Sequence, residues 1–257
     1  MSTLGSSLAE QRLLKGASVL CRELMVAFGN EIALSAVTFG VEPGQLVAII
    51  GPKGAGKSTL LKAMVGVVPL TGGAIEIDRK PASQMRCDIA YVSRQVRIDW
   101  SLPISVTDVV MMGRYRCLGW LGRPGVEDYH KTDLAIELLG LTHVRNRWIG
   151  DLSIGQQQRL LLARALAQEP RVLLIDEPFS GVDLASRIAI LEILSDQHQI
   201  GRTILLVTDD LSYAAHCDLV LLLDRELIHV GIPDEVFRPG VLSEAYDGRM
   251  FLLKGRR

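Results

Sequence analysis

The chain has 257 residues, of which 48% are hydrophobic and 22% charged, and its 28 basic and 29 acidic side chains leave a formal net charge of −1. This length suits one large α/β domain or a core with a subdomain, and the composition is that of a folded globular protein, which excludes wholesale disorder. Balanced charge provides no overall field to attract nucleic acid, so no nucleic-acid partner is expected.

The four cysteines are scattered along the chain without a Cys-x-x-Cys spacing. We therefore expect reduced thiols, not a disulfide framework or a zinc site. The first ten residues lack the basic start and apolar stretch of a signal peptide. No apolar run approaches the roughly 20 residues needed to span a bilayer. These features predict a cytoplasmic protein whose residues 1–17 form a leader.

Strand-like and helix-like stretches alternate along the rest of the chain. Apolar spacing near 3.6 between about 104 and 169 is typical of helices, with a break in the loop at 119–125. Other helices are predicted at 57–67 and 185–197. Strands are predicted at 18–27, 32–41, 45–50, 74–78, 88–93, 172–175 and 203–207, with two more between 218 and 230. This order predicts an α/β fold with a helical insertion.

A glycine-rich segment, Gly51-Pro-Lys-Gly-Ala-Gly-Lys-Ser58, lies between a predicted strand and a predicted helix and fits the P-loop pattern G-x-x-x-x-G-K-[ST]. Its glycines let the backbone wrap a triphosphate at a helix N-terminus. Lys57 is predicted to reach the β- and γ-phosphates, and the Ser58 hydroxyl to bind Mg²⁺. The predicted nucleotide-binding residues here are Gly51, Pro52, Lys53, Gly54, Ala55, Gly56, Lys57, Ser58 and Thr59.

The aliphatic strand at 172–175 runs into Asp176 and Glu177. A carboxylate at this strand end can hold Mg²⁺, which is the role predicted for Asp176. Glu177 is predicted to polarise the attacking water as a general base. Many buried strands end in Asp-Glu, and it is the combination with a P-loop that makes this signal specific.

The segment Leu152-Ser-Ile-Gly-Gln-Gln-Gln-Arg159 lies directly before a predicted helix and resembles the LSGGQ signature of ABC ATPases. Ser153 is a candidate N-cap, which would place its hydroxyl beside free backbone N–H groups. The resemblance implies that Ser153, Gly155 and Gln156 complete the ATP site of the opposite subunit in a head-to-tail dimer.

Further segments follow the same family order. Phe28 resembles the aromatic residue that stacks on adenine, and Ser180-Gly-Val-Asp183 resembles the D-loop that couples the two ATP sites, which gives Asp183 a place near the nucleotide. The run from Asp99 to Tyr115, with Tyr246-Asp-Gly near the end of the chain, is similar to ATPase subunits of manganese, zinc and iron importers.

The family resemblance implies a RecA-like P-loop NTPase core with an antiparallel β subdomain and a helical signature subdomain at about 97–165. It implies one ABC ATPase domain from 18 to 257, with C-terminal strands and a tail from about 218. It also implies an ATPase that uses ATP and Mg²⁺ on the inner face of the cell membrane. Its implied partners are a membrane permease, a second copy of the chain and, indirectly, a periplasmic or surface metal-binding protein.

Three positions depart from the family pattern. Asp209 stands at the catalytic position of the switch histidine, where a carboxylate cannot donate to the γ-phosphate and would repel it. Arg94 stands in the glutamine position of the Q-loop, with Gln95 one place late, and Ile154 replaces a signature glycine. Arg94 and Asp209 could pair and offset each other's charge. Alternatively, Gln95 could take the glutamine role beside the nucleotide and Mg²⁺, while Asp209 slows hydrolysis.

These departures leave more than one function open. The main prediction is an ATP-hydrolysing subunit that powers an ABC transporter for import of a divalent metal. The alternative is a hydrolysis-deficient ATP-binding clamp or regulatory subunit. A third possibility is an ABC ATPase of iron–sulfur assembly, which would work without a permease.

Overall fold

The computed structural model describes residues 15–94, 98–118, 122–179 and 181–246. Gln95, Ser180, most of the predicted leader and the predicted tail from 247 onward lie outside these residues. The described chain divides into two compact units. The P-loop unit comprises residues 17–84 and 203–246, and the signature unit comprises residues 15–16 and 85–202. The leader and the single domain from 18 to 257 stay predictions.

The predicted strands and helices are present, with ends displaced by no more than three residues. The described strands are β1 (Val19–Phe28), β2 (Glu31–Val41), β3 (Leu46–Ile50), β4 (Gly72–Ile77), β5 (Lys80–Pro81), β6 (Ile89–Val92), β7 (Val172–Asp176), β8 (Thr203–Val207), β9 (Leu219–Asp224) and β10 (Glu226–Gly231). The described helices are α1 (Lys57–Met64), α2 (Val106–Leu118), α3 (Val126–Leu138), α4 (Ile154–Ala167), α5 (Leu184–Gln199), α6 (Leu211–Ala214), α7 (Pro233–Val236) and α8 (Pro239–Tyr246).

One part of the P-loop unit is a four-stranded antiparallel sheet in the order β2-β1-β4-β5. Buried and exposed residues alternate along β2 from Val37 to Val41. This alternation places every second side chain in the core, as expected for a sheet with one covered face. The antiparallel pairing confirms the predicted turn at Gly29-Asn30 between β1 and β2.

The other part of the P-loop unit is built around β3. This strand lies between β8 and β9 and runs parallel to both, and β10 pairs antiparallel with β9. Every residue of β3 and β8 is buried, which explains why both read as uninterrupted aliphatic runs. The P-loop therefore begins at the carboxyl end of a buried parallel strand, the edge where ligands bind in open α/β sheets.

Helix α1 is shorter than predicted. It begins at Lys57 as expected but ends at Met64 and not at Val67. The following Gly66 has φ +73°, a left-handed conformation that turns the chain away from the helix axis. The short helices α6, α7 and α8 were not predicted.

The signature unit combines a parallel strand pair with a group of packed helices. β6 pairs with β7, and α2, α3 and α4 pack on one another, which confirms the predicted helical region. A buried ion pair joins two of these helices, with Arg114 Nε 2.9 Å from Asp128 Oδ1. The buried Gln168 amide donates to the backbone carbonyls of Arg86, Cys87 and Ile89 and so fixes the start of β6. Across the described ranges, no helix is both long and apolar enough to cross a membrane.

Candidate functional site

The P-loop is shaped by close backbone contacts that only glycine permits. Gly51 has φ +150°, and a Cβ there would collide with the backbone carbonyl of Leu223. Gly56 has φ +89°, and a Cβ there would meet the carbonyl of Ala33 and the side chain of Leu34. Gly56 is also the N-cap of α1. The loop is therefore drawn tightly between β3 and α1, as its sequence predicts.

Lys57 begins α1, and its ammonium group turns back into the P-loop. The residue is only 7% exposed. Its Nζ lies 2.5 Å from the carbonyl oxygen of Gly51 and 3.2 Å from that of Pro52. A third contact, at 3.2 Å, is an ion pair with Asp209 Oδ1. The positive charge predicted to hold phosphate is therefore inside the loop, with an internal counter-charge.

Asp209 follows β8, two residues after its last buried position. Its side chain is 69% exposed, in contrast to the buried lysine it contacts. The adjacent Asp210 has a separate structural role, because its Oδ1 accepts hydrogen bonds from the backbone N–H groups of Ser212 and Tyr213 and so caps α6. Asp209 thus forms an ion pair with the P-loop lysine, while Asp210 caps the following helix.

Tyr246 is a residue of this region that sequence reasoning did not assign to the site. The last residue of α8, it accepts a hydrogen bond from the backbone N–H of Gly51. Burial, together with the nearby Asp209 carboxylate, raises the pKa of the Tyr246 phenol, and the Gly51 hydrogen bond opposes this shift. The sequence near Tyr246 pointed to a subfamily, but it contained no local signal for contact with a loop almost two hundred residues earlier.

In the signature unit, the predicted magnesium ligand Asp176 is the last residue of β7 and is 3% exposed. The hydroxyl of Tyr91, on the paired strand β6, donates to Asp176 Oδ2 at 3.2 Å. Burial raises the pKa of Tyr91, which a hydrogen bond with Ser93 partly opposes. Tyr91 therefore remains a protonated donor that orients the carboxylate at neutral pH.

Glu177, the predicted general base, follows Asp176 in an uncommon backbone conformation with φ +46°. Its Oε2 lies 2.8 Å from Nη1 of Arg94, and the side chains of Glu177 and Arg94 are 19% and 47% exposed, respectively. The guanidinium of the altered Q-loop is thus paired with the predicted base.

A pair between Arg94 and Asp209, one of the two arrangements that the sequence left open, is not what the structure shows. Arg94 pairs with Glu177, and Asp209 pairs with Lys57. Each of these two charged side chains forms an ion pair with a motif residue of its own unit. The reason is local: β6 and β7 are adjacent strands, so the residues that follow them come close, and Lys57 and Asp209 likewise follow the adjacent strands β3 and β8.

The predicted N-cap at Ser153 is confirmed. Its hydroxyl accepts a hydrogen bond from the backbone N–H of Gln156 at 3.3 Å, and Gln156 Oε1 accepts one from the backbone N–H of Ser153 at 3.0 Å. This reciprocal pair is a capping box, which fixes the first turn of α4. Ile154, which replaces a glycine of the family signature, is 59% exposed, so its bulky side chain lies in solvent.

The starts of α4 and α5 pack against each other. A Cβ on Gly155 would collide with the Ser186 side chain, so glycine is required there. Asp183 caps α5, accepting from the backbone N–H and the hydroxyl of Ser186, both at 2.9 Å. The backbone N–H of Ser186 and then its hydroxyl lower the pKa of Asp183. The predicted signature and D-loop residues are therefore neighbours.

The remaining residues predicted to contact the nucleotide differ in their exposure to solvent. Phe28 ends β1 with 54% exposure, so its ring is open to solvent. Lys53 and Gly54 are exposed, and Ser58 and Thr59 are half-buried. The nucleotide and metal roles of these residues stay predictions.

The described residues fit the groups that a P-loop ATPase uses. A loop that leaves no room for a Cβ atom at Gly51 and Gly56, with a buried ammonium inside it, suits a polyphosphate chain. A buried carboxylate at the end of β7 offers the hard oxygen ligand that Mg²⁺ prefers. Each of these features is of the kind that phosphoryl transfer from a nucleotide to water requires.

Comparison with known proteins agrees with this chemistry. Residues 34–180 match the protein family described as ABC transporter. The chain is similar to the manganese transport system ATP-binding protein MntB of Halalkalibacterium halodurans, with 41% identity over 88% of this chain and 91% of that protein. It is also similar to the zinc transport system ATP-binding protein TroB of Treponema pallidum, with 42% identity over 89% and 86% of the two chains.

A solved structure with a similar fold is cbiO1 from Clostridium perfringens, part of the ABC transporter complex cbiONQ. The TM-score is 0.72 at 27% identity, covering 90% of this chain and 95% of that one. The predicted fold class, a P-loop NTPase with β and helical additions, is thereby confirmed.

Proposed function

The chain belongs to the ABC transporter family and is a nucleotide-binding ATPase, and from this premise we propose that it powers the import of a divalent metal ion. The cargo class, manganese, zinc or iron, is inferred from relatives whose names are those of manganese, zinc and chelated iron transport systems. The observation that carries the proposal is the buried Lys57 ammonium inside the glycine-rich loop. A cation held there is suited to the phosphates of ATP.

The proposed roles follow the chemistry of each side chain. Lys57 holds the β- and γ-phosphates, and the Ser58 hydroxyl and Asp176 carboxylate hold Mg²⁺, with Gln95 as a further candidate. When bound, Mg²⁺ supplies positive charge that neutralises the phosphate oxygens. Glu177 orients the attacking water and takes up its proton. Most of the rate enhancement then comes from positioning and charge stabilisation.

The proposed assembly is a head-to-tail dimer seated on the inner face of a membrane permease. In it, Ser153, Gly155 and Gln156 contact the ATP of the second copy, and Phe28 stacks on adenine. The capped start of α4 supports this role, because an ordered helix N-terminus favours an anion. The metal ion itself would pass through the permease after delivery by a binding protein.

The proposal is tested by MgATP hydrolysis with the purified chain, alone and with its permease in proteoliposomes. Glu177→Gln should abolish turnover while ATP binding is retained. The matched control is Glu192→Gln, an exposed position on α5 in the same unit, which should keep the wild-type rate. ATP-dependent uptake of Mn²⁺, Zn²⁺ or Fe²⁺ would then identify the cargo. Uptake of none of them, with hydrolysis intact, would refute metal import.

A second candidate function is an ATP-binding clamp that does not hydrolyse. The two ion pairs favour it, because the predicted base is held by Arg94 and the P-loop lysine is held by Asp209. Tight ATP binding with no turnover, identical in the wild type and in Glu177→Gln, would establish this function in place of a motor.

A further inference from the structure

The ammonium group of Lys57 is already in contact with oxygen atoms of the protein. An ammonium has three N–H donors. In the P-loop, three oxygen atoms surround Nζ within 3.2 Å: the carbonyls of Gly51 and Pro52, and Oδ1 of Asp209. A phosphate oxygen that approaches Nζ therefore competes with these oxygen atoms for the positive charge.

The three acceptors are not equally easy to displace. The two carbonyls belong to the backbone of the loop itself, and the loop has little room to move, because the Leu223 carbonyl lies so close to Gly51 that no Cβ would fit there. Asp209, in contrast, carries its carboxylate on a side chain that is 69% exposed. Water can solvate this carboxylate once it leaves the lysine. Asp209 is thus the acceptor that an incoming phosphate displaces.

Resting on the proposed nucleotide-binding function, we infer that Asp209 is a specificity-determining residue that disfavours a terminal γ-phosphate relative to a diphosphate. Its carboxylate contacts the ammonium group of Lys57 in the way that a phosphate oxygen would. Both ADP and ATP must compete with it, but ATP brings an additional charged group to the same ammonium. The displaced carboxylate, still attached next to β8, then faces the larger negative charge and repels it more strongly.

The experiment measures the affinities of ATP, ADP and AMP for the full chain by titration calorimetry in EDTA, where hydrolysis is absent. Asp209→Asn removes the charge and keeps the shape, and Asp209→Glu keeps the charge. Glu226→Gln is the matched control, because it is an exposed carboxylate of the same unit on β10. Each titration is repeated at low and high salt.

We expect Asp209→Asn to tighten ATP binding by about tenfold and ADP binding by about twofold or less, an order of magnitude for a partly exposed charge. AMP binding should not change. Asp209→Glu and Glu226→Gln should keep the wild-type ratio of ATP to ADP affinity. The gain should shrink at high salt, because the carboxylate is exposed.

Equal tightening of ATP and ADP, or no change in either, would overturn the inference while nucleotide binding by the wild type would still uphold the proposed function. Failure of the wild type and Asp209→Asn to bind any adenine nucleotide would instead overturn the proposed function, and the inference with it. A variant that does not fold is recognised by its thermal unfolding curve. If Asp209→Asn does not fold, the test depends on the ratio of ATP to ADP affinity in Asp209→Glu. A ratio shifted toward ATP in that variant would contradict the role of the charge.

Discussion

Replacing Arg94 by glutamine should accelerate ATP hydrolysis. In the structure, the Arg94 guanidinium lies 2.8 Å from Glu177, and a carboxylate held in this way must leave its partner before it can orient a water molecule. Arg94→Gln removes the partner and restores the residue that the family carries at this position. The predicted base is then free to act.

The magnitude follows from the exposure of the two side chains. Arg94 is 47% exposed and Glu177 is 19% exposed, so the pair lies between a surface ion pair, worth up to about 1 kcal/mol, and a buried one. We take about 1–2 kcal/mol for its loss. If the whole of this stabilisation must be given up before the chemical step, the rate rises by about 5- to 30-fold.

The assay is steady-state MgATP hydrolysis at saturating ATP, with thermal unfolding measured in parallel. Arg145→Gln is the matched control, because Arg145 forms an ion pair with Asp133 in the same unit and is given no role at the nucleotide. It should leave the rate unchanged. Adding Glu177→Gln to Arg94→Gln should remove the gain. A rate that falls, or stays the same, in Arg94→Gln would refute the view that Arg94 restrains the base.

Three further outcomes are expected. Tyr91→Phe removes the donor to Asp176, the carboxylate proposed to bind Mg²⁺, so the Mg²⁺ concentration for half-maximal hydrolysis should rise several-fold with little change in stability; an unchanged Mg²⁺ requirement would contradict this. The Gly125 backbone N–H and then the Arg114 guanidinium lower the pKa of Asp128. Asp128→Asn should therefore reduce the free energy of unfolding by about 3 kcal/mol at pH 7. This deficit should begin to shrink as the pH falls through about 4, where the unfolded chain takes up the proton, and should disappear only at lower pH, below the depressed pKa of Asp128 in the folded protein; a pH-independent deficit would contradict the charge argument. Ser153→Ala should lower the free energy of unfolding by about 1 kcal/mol, because the helix cap is lost. Denaturant unfolding measures this change, and an unchanged free energy of unfolding would show that the cap does not stabilise the helix.

Much of the fold could be predicted because its signals are local. The aliphatic runs of β3 and β7, the glycine pattern of the P-loop and the cap at Ser153 each lie within a few residues of chain. Periodicity, turn residues and capping preferences act on that scale. The same locality explains the small errors, such as the early end of α1, where Gly66 turns the chain before the apolar pattern stops.

The contacts that distinguish this chain could not be predicted, because they depend on which strands are neighbours. The pairing of Lys57 with Asp209 joins residues far apart in sequence that follow adjacent parallel strands. The same is true of Arg94 and Glu177, which follow β6 and β7. Sequence reasoning identified the unusual charges but left open whether they pair with each other, since nothing in the sequence ranks one long-range partner above another.

The separate pairing of the two unusual charges also bears on how they could have arisen. Had Arg94 and Asp209 depended on each other, the first to appear would have been an uncompensated charge until the second followed. Instead, each new charge meets a residue that the motifs already supply, Glu177 for the arginine and Lys57 for the aspartate. Either substitution could therefore have come first, in a lineage that kept both motifs intact. Either could also be reversed alone, because the other charged side chain would keep its own ion-pair partner.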